Sequence, residues 1–151
     1  MKETPDTPAE LKARALRFLV RREHSRAELA RKLAPHAESP EAVNTVLDLL
    51  LSRKQQSDER FASERARVLS RKYGAAKIRQ DLKARGIPEE IADQASSGFD
   101  EIEKARQILQ RKYRQPAASR EEKAKRARFL QSRGFSHEII RRLILLSEVS
   151  E

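Results

Sequence analysis

The apolar residues of this chain recur at intervals of three and four positions along most of its length. Ala62, Ala66 and Leu69 follow this spacing, as do Ile78 and Leu82. Such a period places apolar side chains on one face of a helix, whereas strands need alternation, which no four-residue run shows convincingly. The pattern therefore predicts an all-α protein. The predicted helices span residues 8–22, 26–34, 40–53, 58–72, 75–85, 88–96, 100–113, 119–133 and 137–147.

Capping residues mark several of the predicted helix starts. Thr7, Ser25 and Ser119 are each followed three positions later by glutamate. This is the capping-box pattern, in which a hydroxyl and a carboxylate bind backbone amides that have no partner within the helix. Pro40 and Pro88 are predicted just inside two further helices, where proline loses no hydrogen bond.

Glycine marks several of the predicted helix ends. Gly74, Gly86 and Gly134 each follow basic residues. This is expected of a C′ glycine, whose left-handed backbone ends the helix while cations face the negative end of the dipole. The segment Pro116-Ala117-Ala118 lengthens a later loop, which we expect to be the most mobile internal segment.

Internal repeats organise these helices into larger units. Leu-Ser-Arg-Lys-Tyr at residues 69–73 recurs as Leu-Gln-Arg-Lys-Tyr at 109–113, and Arg-Gly-Ile at 85–87 recurs as Arg-Gly-Phe at 133–135. One three-helix unit buries too little apolar surface to be securely stable alone, so neighbouring units must pack end to end. We therefore predict a tandem array of three three-helix repeats, elongated and curved. The repeats are predicted at residues 8–53, 58–98 and 100–147, between flexible termini at 1–7 and 148–151.

Composition narrows the class of protein. The 151 residues include no cysteine, which excludes disulfides, thiolate nucleophiles and cysteine-ligated metals. The most apolar stretches, such as residues 46–51, are far shorter than the roughly 18 residues that a membrane span needs. Residues 1–10 are polar and include acidic side chains, unlike a secretory signal. We therefore expect a cytoplasmic protein that makes no membrane contact.

Positive charge is concentrated in two blocks. The 33 lysines and arginines exceed the 23 aspartates and glutamates, which gives a net charge of +10. Residues 53–85 hold eleven bases and four acids, net +7, and residues 104–142 hold thirteen and three, net +10. Residues 87–103 between them hold six acids and no base, and residues 1–52 are close to neutral. Such a surface attracts polyanions or an acidic protein face.

The two basic blocks supply the candidate binding residues. A charge run is ordinarily a solvated helix face, and that interpretation suits most single lysines and arginines. However, like charges at three-residue spacing repel one another, and a polyanionic or acidic partner would relieve this repulsion. The candidate partner-binding or nucleic-acid-binding residues are Arg71, Lys72, Lys77, Arg79, Lys83, Arg111, Lys112, Arg120, Lys123, Lys125 and Arg128.

Aromatic residues are few and are predicted to be structural. Tyr73 and Tyr113 end the two Arg-Lys-Tyr segments, and their matching positions favour a role in capping the core over base stacking. Five phenylalanines, two tyrosines and no tryptophan make stacking a poor candidate for the main binding mode. The phenylalanines are predicted to be core residues.

No catalytic or metal-binding pattern is present in the sequence. His24, His36 and His137 form no His-x-x-x-His pair, and the four glycines are isolated, so neither common phosphate loop occurs. Helix capping explains Ser25, and the helix dipole explains paired glutamates such as residues 89–90. We therefore expect no enzyme activity, no cofactor and no metal.

Four segments resemble the RecX family of recombination regulators. They are residues 15–29, which end in Arg-Arg-Glu-His-Ser-Arg-Ala-Glu-Leu, residues 58–62, residues 77–87 and residues 126–140. Their order and spacing carry the resemblance, which covers about residues 11–146. The chain departs from the family at Gly74-Ala75-Ala76, where a second glycine is frequent, and at Gln55-Gln56-Ser57, where an apolar residue usually precedes the aspartate.

The resemblance implies a protein that binds the RecA recombinase and modulates its filament on single-stranded DNA. Family members resemble tandem three-helix repeats that lodge in the filament groove, where they inhibit ATP hydrolysis, strand exchange and coprotease activity. Several also bind DNA directly, so the implied partners are RecA, single-stranded DNA and, as an open alternative, double-stranded DNA. A basic array suits a helical groove that contains acidic protein faces and DNA phosphate.

Two other functions fit the same residues. Three-helix units are similar to helix-turn-helix domains, so an autonomous DNA-binding module is the main alternative. A structural adaptor for an acidic client, without a role on DNA, is the third hypothesis. We expect the chain to be a monomer.

Overall fold

A computed structural model describes residues 4–145 of the chain, which form nine α-helices and no strand. The prediction of an all-α protein is therefore confirmed. The helices are α1 (Pro8–Arg21), α2 (Arg26–Leu33), α3 (Pro40–Ser52), α4 (Asp58–Leu69), α5 (Ala75–Ala84), α6 (Glu89–Ser96), α7 (Glu101–Lys112), α8 (Arg120–Ser132) and α9 (His137–Ile140). A short 3₁₀ turn, Ala34–His36, follows α2, and a π-helical segment, Arg141–Leu145, follows α9.

Side-chain caps start the helices as the sequence predicts, with one difference. Thr7 and Ser25 each accept a hydrogen bond from the amide of the glutamate three positions later, and each glutamate carboxylate binds the amide of the cap residue. These two predicted capping boxes are confirmed. At α8, Ser119 accepts from the Glu122 amide, but the Glu122 carboxylate accepts from the Ala118 amide at 2.8 Å. The predicted return bond to Ser119 is therefore wrong by one residue.

Two helix ends differ from the prediction by more than one residue. The fourth helix was expected to reach residue 72, but α4 ends at Leu69, whose carbonyl accepts from the amides of both Lys72 and Tyr73, at 3.0 and 2.9 Å. The ninth helix was expected to span 137–147. It instead widens into the π-helical segment after Ile140, and residues 146–147 lie outside the described residues.

The three glycines predicted to end helices have two different roles. Gly86 and Gly134 have φ values of 83° and 91°, in the left-handed region that a C′ glycine adopts. Gly74 does not have a positive φ, so the prediction is wrong for this position. A Cβ at Gly74 would lie 2.6 Å from the carbonyl oxygen of Gly134. The backbones of the two glycines therefore approach each other too closely for any residue with a side chain at position 74.

The chain divides into two compact units. The first comprises Met1–Glu64 with Leu82–Ala92, and the second comprises Arg65–Asp81 with Asp93–Glu151. The divisions fall inside α4, α5 and α6, so the predicted second repeat contributes residues to both units. The repeat bounds of 8–53, 58–98 and 100–147 stay a prediction from the sequence.

The first unit has a hydrophobic core where α1, α2 and α3 meet. The eight buried residues of this core are Leu11, Ala15, Leu29, Leu33, Val43, Val46, Leu47 and Leu50. Each buried leucine or valine stabilises the fold by about 1.5–3 kcal/mol relative to an exposed position. Gln56, in the segment that departs from the family pattern, is also buried in this unit. Its Nε2 donates to the His24 carbonyl at 3.3 Å and to the Asp58 carboxylate at 3.0 Å, so the polar residue is satisfied.

Asp6 anchors the start of the chain to the first unit. Its side chain is fully buried, its amide donates to the His36 carbonyl at 2.8 Å, and its carboxylate accepts from Arg14 Nε at 2.8 Å. Asp6 falls in the terminal segment 1–7 that was expected to be flexible, and these contacts hold it in place.

The second unit has a core formed by α7, α8, α9 and the π-helical segment. Its buried residues are Ala105, Ile108, Leu130, Phe135, Ile140 and Ile144. The start of α5 is capped in the same unit by Glu101, whose carboxylate accepts from the Ala75 amide at 2.8 Å. Lys104 pairs with Glu101 at 2.6 Å and lies 4.8 Å from the centre of the Phe99 ring, which compensates its charge.

Candidate polyanion-binding site

The two copies of the Arg-Lys-Tyr segment come together within the second unit. Arg71 and Lys72 follow the end of α4, and Arg111 and Lys112 form the end of α7. With Arg133, which follows α8, they line one cleft of about 390 Å³. We call this the basic cleft and define it by these five residues.

Helix ends explain why the cations gather at this place. Arg111 and Lys112 lie in the last turn of α7, where the helix dipole favours positive charge. Arg133 is the C-cap residue of α8, and its backbone carbonyl accepts from the Gly74 amide at 2.7 Å. That backbone bond fixes the end of α8 against the turn that carries Arg71 and Lys72.

Two arginines of the basic cleft, Arg111 and Arg133, are held by neutral groups. The Arg111 guanidinium donates to the carbonyl of Arg71, and Arg133 Nη1 donates to the carbonyl of Lys72 at 3.2 Å. The guanidinium of Arg133 also lies 5.5 Å from the ring centre of Tyr73 and 5.0 Å from that of Phe129. Both contacts orient a cation without neutralising its charge.

No carboxylate within residues 4–145 forms an ion pair with any of the five cleft cations, and none lines the cleft. Other arginines of the same unit differ. Arg65, for example, forms a two-pronged ion pair with Asp81 at 2.5 and 2.9 Å. The basic cleft is therefore a concentration of uncompensated positive charge, and the groups that match it are anions with several oxygen acceptors.

Three other candidates from the first basic block lie elsewhere. Arg79 pairs with Asp93, and Lys83 pairs with Glu89 at 3.3 Å, so both face carboxylates. Lys77 is exposed and lines a separate depression of about 410 Å³ together with Tyr73. Only Arg71 and Lys72 of this block reach the basic cleft.

The candidates on α8 also lie outside the basic cleft. Arg120, Lys125 and Arg128 are exposed and Lys123 is half-buried, and none of the four lines the cleft. The structure thus brings four of the eleven candidates together and leaves seven apart.

Arg133 is the residue that the candidate set misses. It belongs to the basic block of the sequence, but it was not among the eleven candidates. Its position in the repeated Arg-Gly segment, before Gly134, was the available signal. Phe129, predicted as a core residue, and Tyr73, predicted to cap the core, are half-buried and line the cleft wall. Arg133 lies over both rings.

Between residues 4 and 145, no three histidine, aspartate or glutamate side chains come together as metal ligands do. In the same range, no helix combines the length and the apolar character needed to cross a bilayer.

Comparisons with known proteins agree on one family. Models of the first, second and third three-helix domains of RecX match residues 12–50, 57–95 and 100–144. The regulatory protein RecX of Leptothrix cholodnii is 43% identical over 143 residues, which cover 91% of this chain and 89% of that protein. The regulatory protein RecX of Herbaspirillum seropedicae is 45% identical over 139 residues, which cover 91% and 90%.

The fold is also similar to a known crystal structure. RecX from Lactobacillus salivarius superimposes with a TM-score of 0.82 at 21% identity, over 94% of this chain and 97% of that one. Together with the three domain matches, this confirms the prediction of consecutive three-helix units.

Proposed function

Because this chain belongs to the RecX family of regulatory proteins, we propose that it binds the RecA recombinase filament on single-stranded DNA and modulates it. The effect is mainly inhibition of the ATPase, strand-exchange and coprotease activities of RecA. In this proposal the chain is a non-enzymatic, monomeric protein of the cytoplasm.

The observation that carries the proposal is the uncompensated charge of the basic cleft. A filament of recombinase on DNA presents acidic protein faces and a phosphate backbone, and a cationic surface is attracted to both. Arg111 and Arg133 bind backbone carbonyls, and Arg133 also lies over two rings, so their charge is available to such a partner.

The direct test is the ATP turnover of RecA on single-stranded DNA with increasing amounts of this protein. We expect turnover to fall several-fold as the filament becomes saturated with the protein, and strand exchange to fall in parallel. Unchanged turnover at saturating filament binding contradicts the proposal. The protein alone, mixed with ATP and single-stranded DNA, is the control, and it should hydrolyse no ATP.

The autonomous helix-turn-helix-like module is the second candidate, and the same uncompensated cleft favours it. That function requires binding to duplex DNA in the absence of RecA, with a steep loss of affinity as salt rises. Gel shifts with duplex DNA at two salt concentrations test it. Sequence-dependent duplex binding together with unchanged RecA turnover selects this function over the regulator.

A further inference from the structure

We infer that the basic cleft binds the phosphate groups of a single nucleic-acid strand, through the two Arg-Lys pairs at residues 71–72 and 111–112 and through Arg133. The inference rests on the proposed function, because it names the component of the nucleoprotein filament that this cleft contacts. The alternative occupant is an acidic segment of the partner protein.

The arrangement of charge favours phosphate over protein carboxylates. Five cations share one cleft, and within the described chain no carboxylate faces them. A nucleic-acid strand carries one negative charge per nucleotide in regular succession, so a short length of strand supplies several anions to the same cleft. The few acidic side chains of a protein segment that fit this volume would leave part of the charge unmatched.

The arginines present their donors in a fixed geometry. Arg111 and Arg133 each use part of the guanidinium to bind a backbone carbonyl, of Arg71 and Lys72 respectively. A guanidinium has five N–H donors, so several remain for the oxygens of a phosphate. The carbonyl bonds limit the rotation of these side chains, which lowers the entropy lost when an anion is bound.

The aromatic rings of the cleft argue for contacts to the backbone of the strand rather than to its bases. Arg133 lies over both Tyr73 and Phe129, and Lys112 Nζ lies 4.9 Å from the centre of the Phe129 ring. Cations therefore already occupy ring faces on which a base would stack. Recognition through phosphate alone carries no sequence information, so the binding should be independent of base sequence.

The duplicated motif supplies a clean pair of substitutions. The carbonyls of Arg71 and Lys72 hold the other two arginines, but within residues 4–145 their side chains form no hydrogen bond or ion pair. Replacing both side chains by glutamine therefore removes two charges and leaves the carbonyl acceptors. Arg17 and Arg21 on α1, which are also exposed and unpaired among the described residues, are the matched control.

The experiment measures binding of a fluorescein-labelled oligothymidylate of about 20 nucleotides, without recombinase, between about 50 and 200 mM salt. We expect the double variant R71Q/K72Q to bind roughly tenfold more weakly than the unmodified chain. The slope of log affinity against log salt should become shallower by about 1.4, because two phosphate contacts are lost. R17Q/R21Q should change the affinity less than about twofold. Circular dichroism checks folding, and the single variants R71Q and K72Q replace the pair if the double variant unfolds.

Equal losses in R71Q/K72Q and R17Q/R21Q overturn the inference, because the attraction is then a property of net charge alone. Unchanged oligonucleotide binding by R71Q/K72Q together with lost filament binding also overturns it and assigns the cleft to an acidic protein face. The proposed function fails separately: an oligonucleotide affinity that depends on Arg71 and Lys72, with RecA turnover unaffected, supports the cleft and contradicts the regulator.

Discussion

Gly134 lies so close to Lys77 that a Cβ on the glycine would come within 2.6 Å of the lysine Cβ and within 2.7 Å of its backbone nitrogen. The turn after α8 is thus seated on the first turn of α5. The first unit has a matching contact, in which the turn at Gly86 lies against Ala27 in the first turn of α2. The repeated Arg-Gly segment therefore docks on the start of a second helix in both units.

Replacing Gly134 by alanine should destabilise the protein by about 2 kcal/mol or more. The φ of 91° is unfavourable for any residue with a Cβ, and the new methyl group would overlap the backbone of Lys77. The free energy of unfolding, measured by urea denaturation, is the appropriate readout.

Gly98→Ala is the control for that substitution. A Cβ at Gly98 meets no atom within 4 Å, and its φ lies outside the left-handed region. Its stability should change by less than about 0.5 kcal/mol. If the two glycine variants have equal stability, the close approach of Gly134 to Lys77 is not a constraint on the fold.

The sequence predicts the helices well because their signals are local. The caps at Thr7 and Ser25, and the positive φ at Gly86 and Gly134, depend on residues within one turn of each other. The early end of α4 does not follow from such signals. The continuous pattern through residue 72 suits a helix, but the chain must turn at Leu69 to bring Gly74 against Gly134.

The binding site is less predictable because it depends on contacts between distant residues. Charge counting finds Arg71 and Arg111 but cannot show that they meet, or that Arg79 faces Asp93. Arg133 joins them through a carbonyl 61 residues earlier in the chain. Whether a cation has a carboxylate partner is a tertiary property, and it separates the cleft residues from candidates such as Arg79 and Lys83, which pair with Asp93 and Glu89.

Stability should fall as the pH decreases below about 6.5, because of His24. The ammonium of Lys32 lies 2.9 Å from Nε2 and can only donate, so Nδ1 carries the proton and donates to the Arg22 carbonyl at 3.0 Å. Burial lowers the pKa of His24 from its ordinary 6.5, and the nearby positive charges of Arg22 and Lys32 add to this effect. Below pH 6.5 the unfolded chain therefore binds a proton that the folded chain does not, which favours unfolding.

Urea titrations between about pH 8 and pH 5 measure this effect as the slope of unfolding free energy against pH. His24→Gln should flatten the slope near pH 6, whatever its effect on absolute stability. His36→Gln, at a half-buried histidine of the same unit, is the comparison variant and should retain the part of the slope that His24 produces. A slope that persists in His24→Gln would assign the proton uptake to another group.

A second loss of stability should follow at lower pH, because of Glu28. Burial pushes the pKa of Glu28 upward, but hydrogen bonds from Arg22 and from the Ser25 amide outweigh it and hold the pKa below its ordinary 4.5. The stabilisation that ionised Glu28 provides is fully present above pH 4.5, and it is lost as the pH falls through the pKa of Glu28 in the folded protein. Glu28→Gln should remove this phase in urea titrations below about pH 5, and Glu41→Gln, an exposed glutamate on α3, should retain it.

Asp6→Ala should destabilise the protein by about 2 kcal/mol or more, because it removes a buried acceptor and leaves Arg14 without its partner. Asp48→Ala is the matched control, since Asp48 is 71% exposed and its ion pair with Arg26 contributes about 0–1 kcal/mol. Urea denaturation at neutral pH compares the two variants. Similar losses of unfolding free energy in both variants would mean that the burial of Asp6 adds nothing to the stabilisation from its ion pair.

Arg126→Gln should loosen the loop at residues 113–119. Arg126 Nη2 donates to the Gln115 carbonyl at 2.8 Å, and the guanidinium lies 4.5 Å from the centre of the Tyr113 ring, so one side chain fixes both the loop and the tyrosine before it. We expect amide hydrogen exchange in this loop to rise several-fold in the variant, while the core amides of α7 stay protected. Arg128→Gln, at an exposed position on the same helix, removes the same charge and should leave exchange in the loop unchanged. Equal exchange in the two variants would show that the loop is held by its backbone and by Glu122 alone.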